Sequence, residues 1–171
     1  FLTPGCTVSF GGSMTLEDTG MLTALRHDPG ITLLDRAQAK TPEETKKIYH
    51  DALSSDFYFM STNAITKDGE LVNIDGTGNR VAALIYGPEH VIVMAGMNKV
   101  AANVDEALSR VHGTATPMNC KRLGKNTPCS ATGVCSDCLS PDCICNQVVI
   151  TRRSGIEGRI KVILIGEELG Y

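Results

Sequence analysis

Residues 6–17 read Cys6-Thr7-Val8-Ser9-Phe10-Gly11-Gly12-Ser13-Met14-Thr15-Leu16-Glu17. A short run rich in β-formers ends on two glycines, and Ser13 and Thr15 then stand where helix caps stand. This is a strand passing through a tight turn into a helix. Working outward, the helix is expected over Leu16–Arg26, with Met21, Leu22 and Leu25 as its apolar positions, and His27-Asp28-Pro29-Gly30 stops it. Ile31–Leu34 is a second strand. Thr41-Pro42-Glu43-Glu44 joins a cap, a first-turn proline and early acids, and starts a helix to about Ser54. Phe57–Thr62 is an apolar strand, and Asp68-Gly69-Glu70 turns a hairpin into Leu71–Ile74. Beyond the loop Asp75-Gly76-Thr77-Gly78 a helix spans Asn79–Tyr86, ended by Gly87-Pro88. His90–Ala95 is the most apolar strand, Val104–Val111 is helical, and a short helical stretch lies near Met118–Leu123. Val148–Thr151 and Ile160–Ile165 close the chain as strands. Alternating strands and helices predict an α/β fold with a mostly parallel sheet.

The 171 residues suit one domain over 1–171, and neither repeat nor linker divides them. A hydrophobic content of 42% and a charged content of 20% are those of a soluble globular protein. No apolar run approaches the ~20 residues that span a bilayer, and no signal peptide opens the chain. The chain begins at Phe1, already on the approach to a strand, so a preceding segment is expected. The net charge of −3 is unevenly spread: residues 121–161 carry +4 and the remainder −7. The basic stretch suits an anionic partner or an anionic metal–thiolate centre, or is a solvated face. Nucleic-acid binding is not supported, because the chain is acidic overall and lacks an aromatic-interleaved basic stripe.

Seven cysteines are present: Cys6, Cys120, Cys129, Cys135, Cys138, Cys143 and Cys145. An odd, crowded set without a secretory signal reads as metal-binding or catalytic, which places the protein in the cytoplasm. Within 129–145 the spacings are five, two, four and one residues. The intervening residues are mostly Ser, Thr, Gly, Asp and Pro, with too few apolar side chains to bury free thiols. A loop that wraps a metal is therefore expected, inserted before the last strands. Thiolates suit zinc and iron–sulfur clusters, and the two-residue spacing of Cys135 and Cys138 turns both sulfurs to one ion. Only one such knuckle exists and no histidine lies in the segment. The uneven spacing favours a [4Fe–4S] cluster, with zinc as the alternative. The expected ligands are Cys129, Cys135, Cys138 and Cys145, with Cys143 competing for the last place. Cys6 is read as a core residue, and Cys120, on a helix before the loop, as outside the ligand set.

Two polar constellations are candidates for a small anionic ligand. One is Gly11, Gly12, Ser13 and Thr15 at a strand-to-helix turn, where backbone amides and hydroxyls converge. It is neither a dinucleotide fingerprint nor a P-loop. The other surrounds the 63–80 hairpin: Asn63, Asp68, Gly69, Asn73, Gly76, Gly78, Asn79 and Arg80. A cation at a helix start is electrostatically awkward, so Arg80 is expected to face a ligand or to pair with a carboxylate. Asn98 and Lys99 follow the strongest strand, at the sheet end where open α/β folds bind ligands. The bland alternatives are tight connections and loops held by side-chain–backbone bonds. No Ser/His/Asp set or general base stands out, and His27, His50, His90 and His112 read as structural.

Gly11-Gly12-Ser13-Met14-Thr15-Leu16-Glu17, the stretch from Ser61 to Leu71, Asp75-Gly76-Thr77-Gly78-Asn79-Arg80-Val81 and the terminal Gly166–Tyr171 resemble the LUD-domain (lactate utilisation, DUF162) family. The resemblance covers essentially the whole chain and is nearest to small single-domain LutC/YkgG-like members. It implies a Rossmann-like sheet of the ribose-5-phosphate isomerase and CoA-transferase type. In that superfamily Asn-x-x-x-x-Asp-Gly hairpins and glycine-rich turns line the substrate pocket, which maps onto Gly11, Gly12, Ser13, Asn63, Asp68, Gly69, Asn73, Gly76, Gly78 and Asn79. It also implies lactate oxidation within a multi-subunit iron–sulfur complex, although the plain LutC-like subunit generally lacks this cysteine loop. The expectation is thus an iron–sulfur protein serving oxidation or electron transfer for a small carboxylate such as lactate, with other redox subunits or a second copy as partners. The alternatives are a phosphosugar- or CoA-ester-type enzyme with a structural zinc, or a non-catalytic assembly subunit.

Overall fold

The structure is a computed structural model, and it describes residues 2–171. Five parallel strands form the main sheet in the order β2 (Thr32–Leu34), β1 (Thr7–Phe10), β3 (Phe57–Met60), β6 (His90–Gly96) and β9 (Ile160–Ile165). The expected α/β, Rossmann-like arrangement is present. β3 is buried at every position, which is why Phe-Tyr-Phe-Met lacks polar alternation. Its side chains alternate between two cores. Phe57 and Phe59 join Val8, Leu16 and Ile92 on one face, while Tyr58 and Met60 join Leu84, Val91 and Val93 on the other. β9 closes one edge and leaves Val162 and Leu164 exposed.

The remaining strands form a second, four-stranded sheet: β7 (Val100–Ala101), β4 (Ala64–Thr66), β5 (Leu71–Asp75) and β8 (Gln147–Thr151). Of the two closing strands expected, β9 lies in the main sheet, and β8 pairs antiparallel with β5, Asp75 opposite Gln147 through Leu71 opposite Thr151. A third apolar cluster, containing Val72, Ile74, Ala107 and Val111, fills the space between this sheet and the helix that follows β7.

The helix expected over 16–26 is two helices, α1 (Met14–Asp18) and α2 (Met21–His27). Thr19 turns its hydroxyl back onto the Thr15 and Leu16 carbonyls, and Gly20 takes a left-handed φ of 71° that restarts the chain. Ser13 caps α1 through Leu16 N–H. Thr41 and Pro42 start α3 (Pro42–Ala52), and α4 (Asn79–Ile85) packs below β5. The two helical pieces expected over 104–123 are one rod: α5 (Val104–Arg110), a π-helical turn Val111–Ala115, and α6 (Thr116–Arg122). No helix among the described residues is long and apolar enough to cross a membrane.

Candidate functional site

The carboxyl ends of β1, β3 and β6 deliver three loops to one place. β1 leads into Gly11-Gly12, β3 into Ser61-Thr62-Asn63, and β6 into the 3₁₀ turn Met97–Lys99. The strand order reverses between β1 and β3, so their ends splay apart and leave a crevice. A cavity of about 390 Å³ opens there, and the π turn and α6 form its far wall. A π-helical turn re-aims the side chains that follow it, and Thr116 and Asn119 face the cavity.

The sequence-predicted ligand residues divide into three groups. Gly12, Ser13, Asn63, Gly76, Asn79, Arg80 and Lys99 line the cavity. A second group lies behind the wall. A Cβ on Gly11 would stand 3.0 Å from the Arg80 side chain, so this glycine seats the arginine. Thr15 and Asn98 hold the C-terminal tail: Thr15 Oγ1 donates to Leu169 O, and Asn98 Nδ2 donates to Gly170 O. Asn73 is fully buried beneath Arg80, and Gly78, at φ 91°, starts α4. The third group is Asp68 and Gly69, which lie at the tip of the β4–β5 turn and do not line the cavity. Tight-turn chemistry explains both, with Gly69 at φ 88°.

Arg80 is the organising side chain. Its Nε pairs with Asp75 at 3.1 Å, Nη1 donates to Ser61 O and Asn73 Oδ1, and Nη2 donates to Asn63 Oδ1 and Ile74 O. Those five acceptors match a guanidinium's five N–H groups. Burial lowers its pKa, and the Asp75 carboxylate opposes that shift. The carboxylate-paired expectation for Arg80 holds, and it leaves no donor for a ligand.

Lys99 differs. It is 3% exposed, its Nζ donates to Ser61 Oγ at 3.2 Å, and no carboxylate pairs with it among the described residues. Burial, with Arg110 and Arg80 nearby, lowers its pKa to about 8. Arg36, Arg122 and Lys125 complete the cationic lining. The wall thus carries five cations; Asp75, the one carboxylate in it, pairs with Arg80, and Lys125 pairs with Asp142 beside it. Arg36, Arg122 and Lys125 escape sequence reasoning because nothing local separates them from surface charges. Arg122 and Lys125 fall only within the basic stretch.

The cysteine segment, which lies between α6 and β8, forms the adjoining wall. Cys143 and Ile144 line the cavity, and Asn146 fastens the segment's end by donating N–H to Asp75 O and Nδ2 to Gly76 O. The seat is close: a Cβ on Gly76 would stand 3.3 Å from Ile144 Cα. Cys129 is not on a loop. It is buried on α7 (Pro128–Thr132), which Thr127 caps, and the scarcity of apolar neighbours in sequence did not reveal this. Nor does Cys120 stand apart, because its thiol lies beside Cys129, with Cys143 and Cys145 nearby. Burial raises the Cys120 thiol to about 11 and the Cys145 thiol to about 12, with neighbouring sulfurs adding to both. Cys135 meets His112 instead, Sγ to Nδ1 at 3.5 Å, so this histidine is not the bland residue its sequence position implied. The three helix residues that the cysteines meet, His112, Thr116 and Cys120, follow one another at four-residue intervals along the rod.

All seven cysteines are free thiols. By donor chemistry the segment fits a thiophilic centre. By position, no three His, Cys, Asp or Glu side chains among the described residues converge as a bound metal ion requires.

Comparison with solved structures gives similarity to a DUF162 family protein from Deinococcus radiodurans, at 12% identity and a TM-score of 0.40, covering 95% of this chain and 88% of that one. The chain is also similar to eIF2B delta from Chaetomium thermophilum, at 20% identity and a TM-score of 0.36, covering 64% and 49% of the two chains. A chain of the tetrameric eIF2B-beta2-delta2 complex from C. thermophilum matches at 20% identity and a TM-score of 0.36, covering 60% and 39%. The chain therefore spans less than half the length of either eIF2B chain it matches. No curated protein matches it. A family model described as the LUD domain matches residues 1–165, as the motifs at 11–17, 61–71 and 75–81 implied, and the chain belongs to the LUD-domain family.

Proposed function

We propose that this LUD-domain protein binds a small anionic metabolite, a carboxylate such as lactate, and serves its oxidation or the electron transfer coupled to it. The observation that carries the reading is the charge of the cavity wall: of its five cations Arg80 pairs with Asp75 and Lys125 with Asp142, which leaves Arg36, Lys99 and Arg122 without a carboxylate partner among the described residues. Such a wall holds a carboxylate by charge and by hydrogen bonds, and Arg is suited to grip it with two parallel donors. Arg36 and Arg122 are the two arginines there that keep donors in reserve, since the N–H groups of Arg80 are engaged. Lys99 and Ser61 face the same volume from the sheet side.

The cofactor of this reading is a [4Fe–4S] cluster held by Cys129, Cys135, Cys138 and Cys145, with Cys143 as the alternative fourth ligand. Supporting it are five cysteines in 17 residues, all with free thiols, on a segment seated against the cavity. A cluster of this kind, when bound, takes up and passes on single electrons. The residues' own part is to present soft donors beside the anion and to hold them there through Asn146 and Gly76.

The test is iron, sulfide and zinc content with a visible spectrum, on the full chain purified without oxygen. About four irons and four sulfides per chain are expected, and Cys135→Ser with Cys138→Ser should abolish the absorbance. Absorbance that survives the double substitution overturns the ligand assignment. One observation favours a second reading. His112 against Cys135 supplies a nitrogen donor to a sulfur site, which suits a structural zinc beside a phosphosugar- or CoA-ester-type pocket. One zinc per chain without iron selects that reading.

A further inference from the structure

Lys99 is the one cationic group of the cavity wall that is both buried and without a carboxylate partner among the described residues. It sits at the end of the 3₁₀ turn after β6, so its backbone is fixed by the sheet. Its one hydrogen bond runs to Ser61 Oγ at 3.2 Å. Ser61 in turn contacts Thr15 Oγ1 and Thr62 O, acceptors that take up the hydroxyl proton. The lysine therefore donates to Ser61, and when neutral its lone pair is not drawn into that bond.

We propose that Lys99 is a carbonyl-condensing amine, and that the cavity accepts small 2-oxo acid anions which form an imine on its Nζ. The inference rests on the anion-binding reading of the cavity and deepens it. A carboxylate held by Arg36 or Arg122 leaves the neighbouring carbonyl carbon as the part of the molecule free to meet the amine. Nζ attacks that carbon, a C–N bond forms, and the C=O π pair moves to oxygen, which receives a proton from the attacking nitrogen. Loss of that oxygen as water leaves the C=N bond. One amine and one carbonyl compound give one imine and one water, with no oxidant or reductant.

Two features of the surroundings favour this chemistry. A nucleophilic lysine must be neutral, and burial with the Arg110 and Arg80 guanidinium groups nearby, opposed by the Asp18 carboxylate, brings Lys99 into a range where a useful fraction is neutral near pH 7–8. A buried site also limits the water that would hydrolyse the imine. By contrast Lys125 is half-exposed and pairs with Asp142 at 3.2 Å.

The experiment incubates the full chain with pyruvate and sodium cyanoborohydride, followed by intact mass and peptide mapping. One reduced adduct per chain is expected, on the peptide containing Lys99 and absent from Lys99→Arg, which keeps the charge and removes the nucleophile. Wild-type thermal shift with oxalate, which has two carboxylates and no ketone, reads the anion site separately. Stabilisation by oxalate without a Lys99 adduct overturns the imine and leaves the anion site standing. Neither stabilisation nor adduct overturns both. Labelling spread over surface lysines such as Lys40 and Lys67, unchanged in Lys99→Arg, also overturns the imine.

Discussion

Arg80 and Lys99 are two cations that donate to the same serine, Ser61, and they behave in opposite ways. Arg80 is neutralised by Asp75 and saturated by carbonyl and amide oxygens. Removing one partner of such a pair strands the other, at a cost of about 3–5 kcal/mol. Arg80→Met is therefore expected to lower the urea midpoint steeply, and Asp75→Asn less so because its amide still accepts a hydrogen bond. Equal, small effects would mean the pair contributes little. Lys99 carries the reverse signature. Its folded pKa of about 8 lies below the ordinary 10.5, so the folded state sheds a proton that the unfolded chain keeps between those values. Stability then rises with pH through that window, and below it the full cost of the buried charge is present. Lys99→Met should be more stable than wild type at pH 7, by up to about 3 kcal/mol, with the gap closing as pH nears 10.5. A gap that does not change with pH would place the effect in packing rather than charge. At this scale the sequence was readable where chemistry is local. Arg80 at a helix start left a ligand or an ion pair open, and the ion pair forms, while Asn63 and Asn73, expected at a ligand, accept from Arg80. Asp68 misled because a turn aspartate and a ligand aspartate look alike without their surroundings.

Between elements, the site depends on close backbone approaches. Gly76 admits Ile144, and a larger residue must push the cysteine segment off β5. Gly76→Val is expected to cost about 1–3 kcal/mol and to raise proteolysis between 124 and 146, measured by limited digestion. Intact kinetics of digestion would show that the seat is soft. Arg159 works in a similar joining role. It is buried and donates to Ala83 O, Leu84 O and Pro88 O, so it caps the end of α4 from the strand β9 side. Arg159→Met leaves those carbonyls without a partner and is expected to destabilise by about 1–3 kcal/mol for each one buried away from water. Calorimetric unfolding measures it, and a change within ~0.5 kcal/mol would mean water replaces the side chain. Strands and caps were legible from residue pattern, as Thr41-Pro42 and Ser13 show. The break at Gly20 was not, because Thr19 turning back onto Thr15 depends on a hydroxyl whose alternatives are equally good in sequence. Which sheet β8 joins was open for a different reason. Its short alternating run fits any half-covered edge, and only the docking of Asn146 on Asp75 selects β5.

Across the molecule, an acidic chain with net charge −3 surrounds a cationic recess. Approaching anions feel repulsion from the exterior and attraction only near the mouth, and salt screens both. Oxalate affinity is expected to fall as ionic strength rises toward ~1 M, where screening acts over about 3 Å. Affinity insensitive to salt would indicate a ligand held by apolar contact instead. The composition predicted the acidic surface and the basic C-terminal stretch. It could not predict that Arg36, from the first half of the chain, lines the same crevice as Arg122 and Lys125, since strand order and not sequence distance places them there.

The attachment of the cysteine segment to Asp75 and Gly76 has one more consequence. Asp75 belongs at once to the ladder with β8, to the ion pair with Arg80 and to the seat of Asn146. The two halves of the site therefore share a free energy. An agent that fixes the sulfur-bearing segment and a molecule that fills the recess must favour each other, or oppose each other, by one and the same factor. Titrating oxalate into metal-loaded and metal-free protein, and metal into protein with and without oxalate, should return equal ratios of dissociation constants. That reciprocity makes the thiol wall a setting for the affinity of the recess as well as a store of donors.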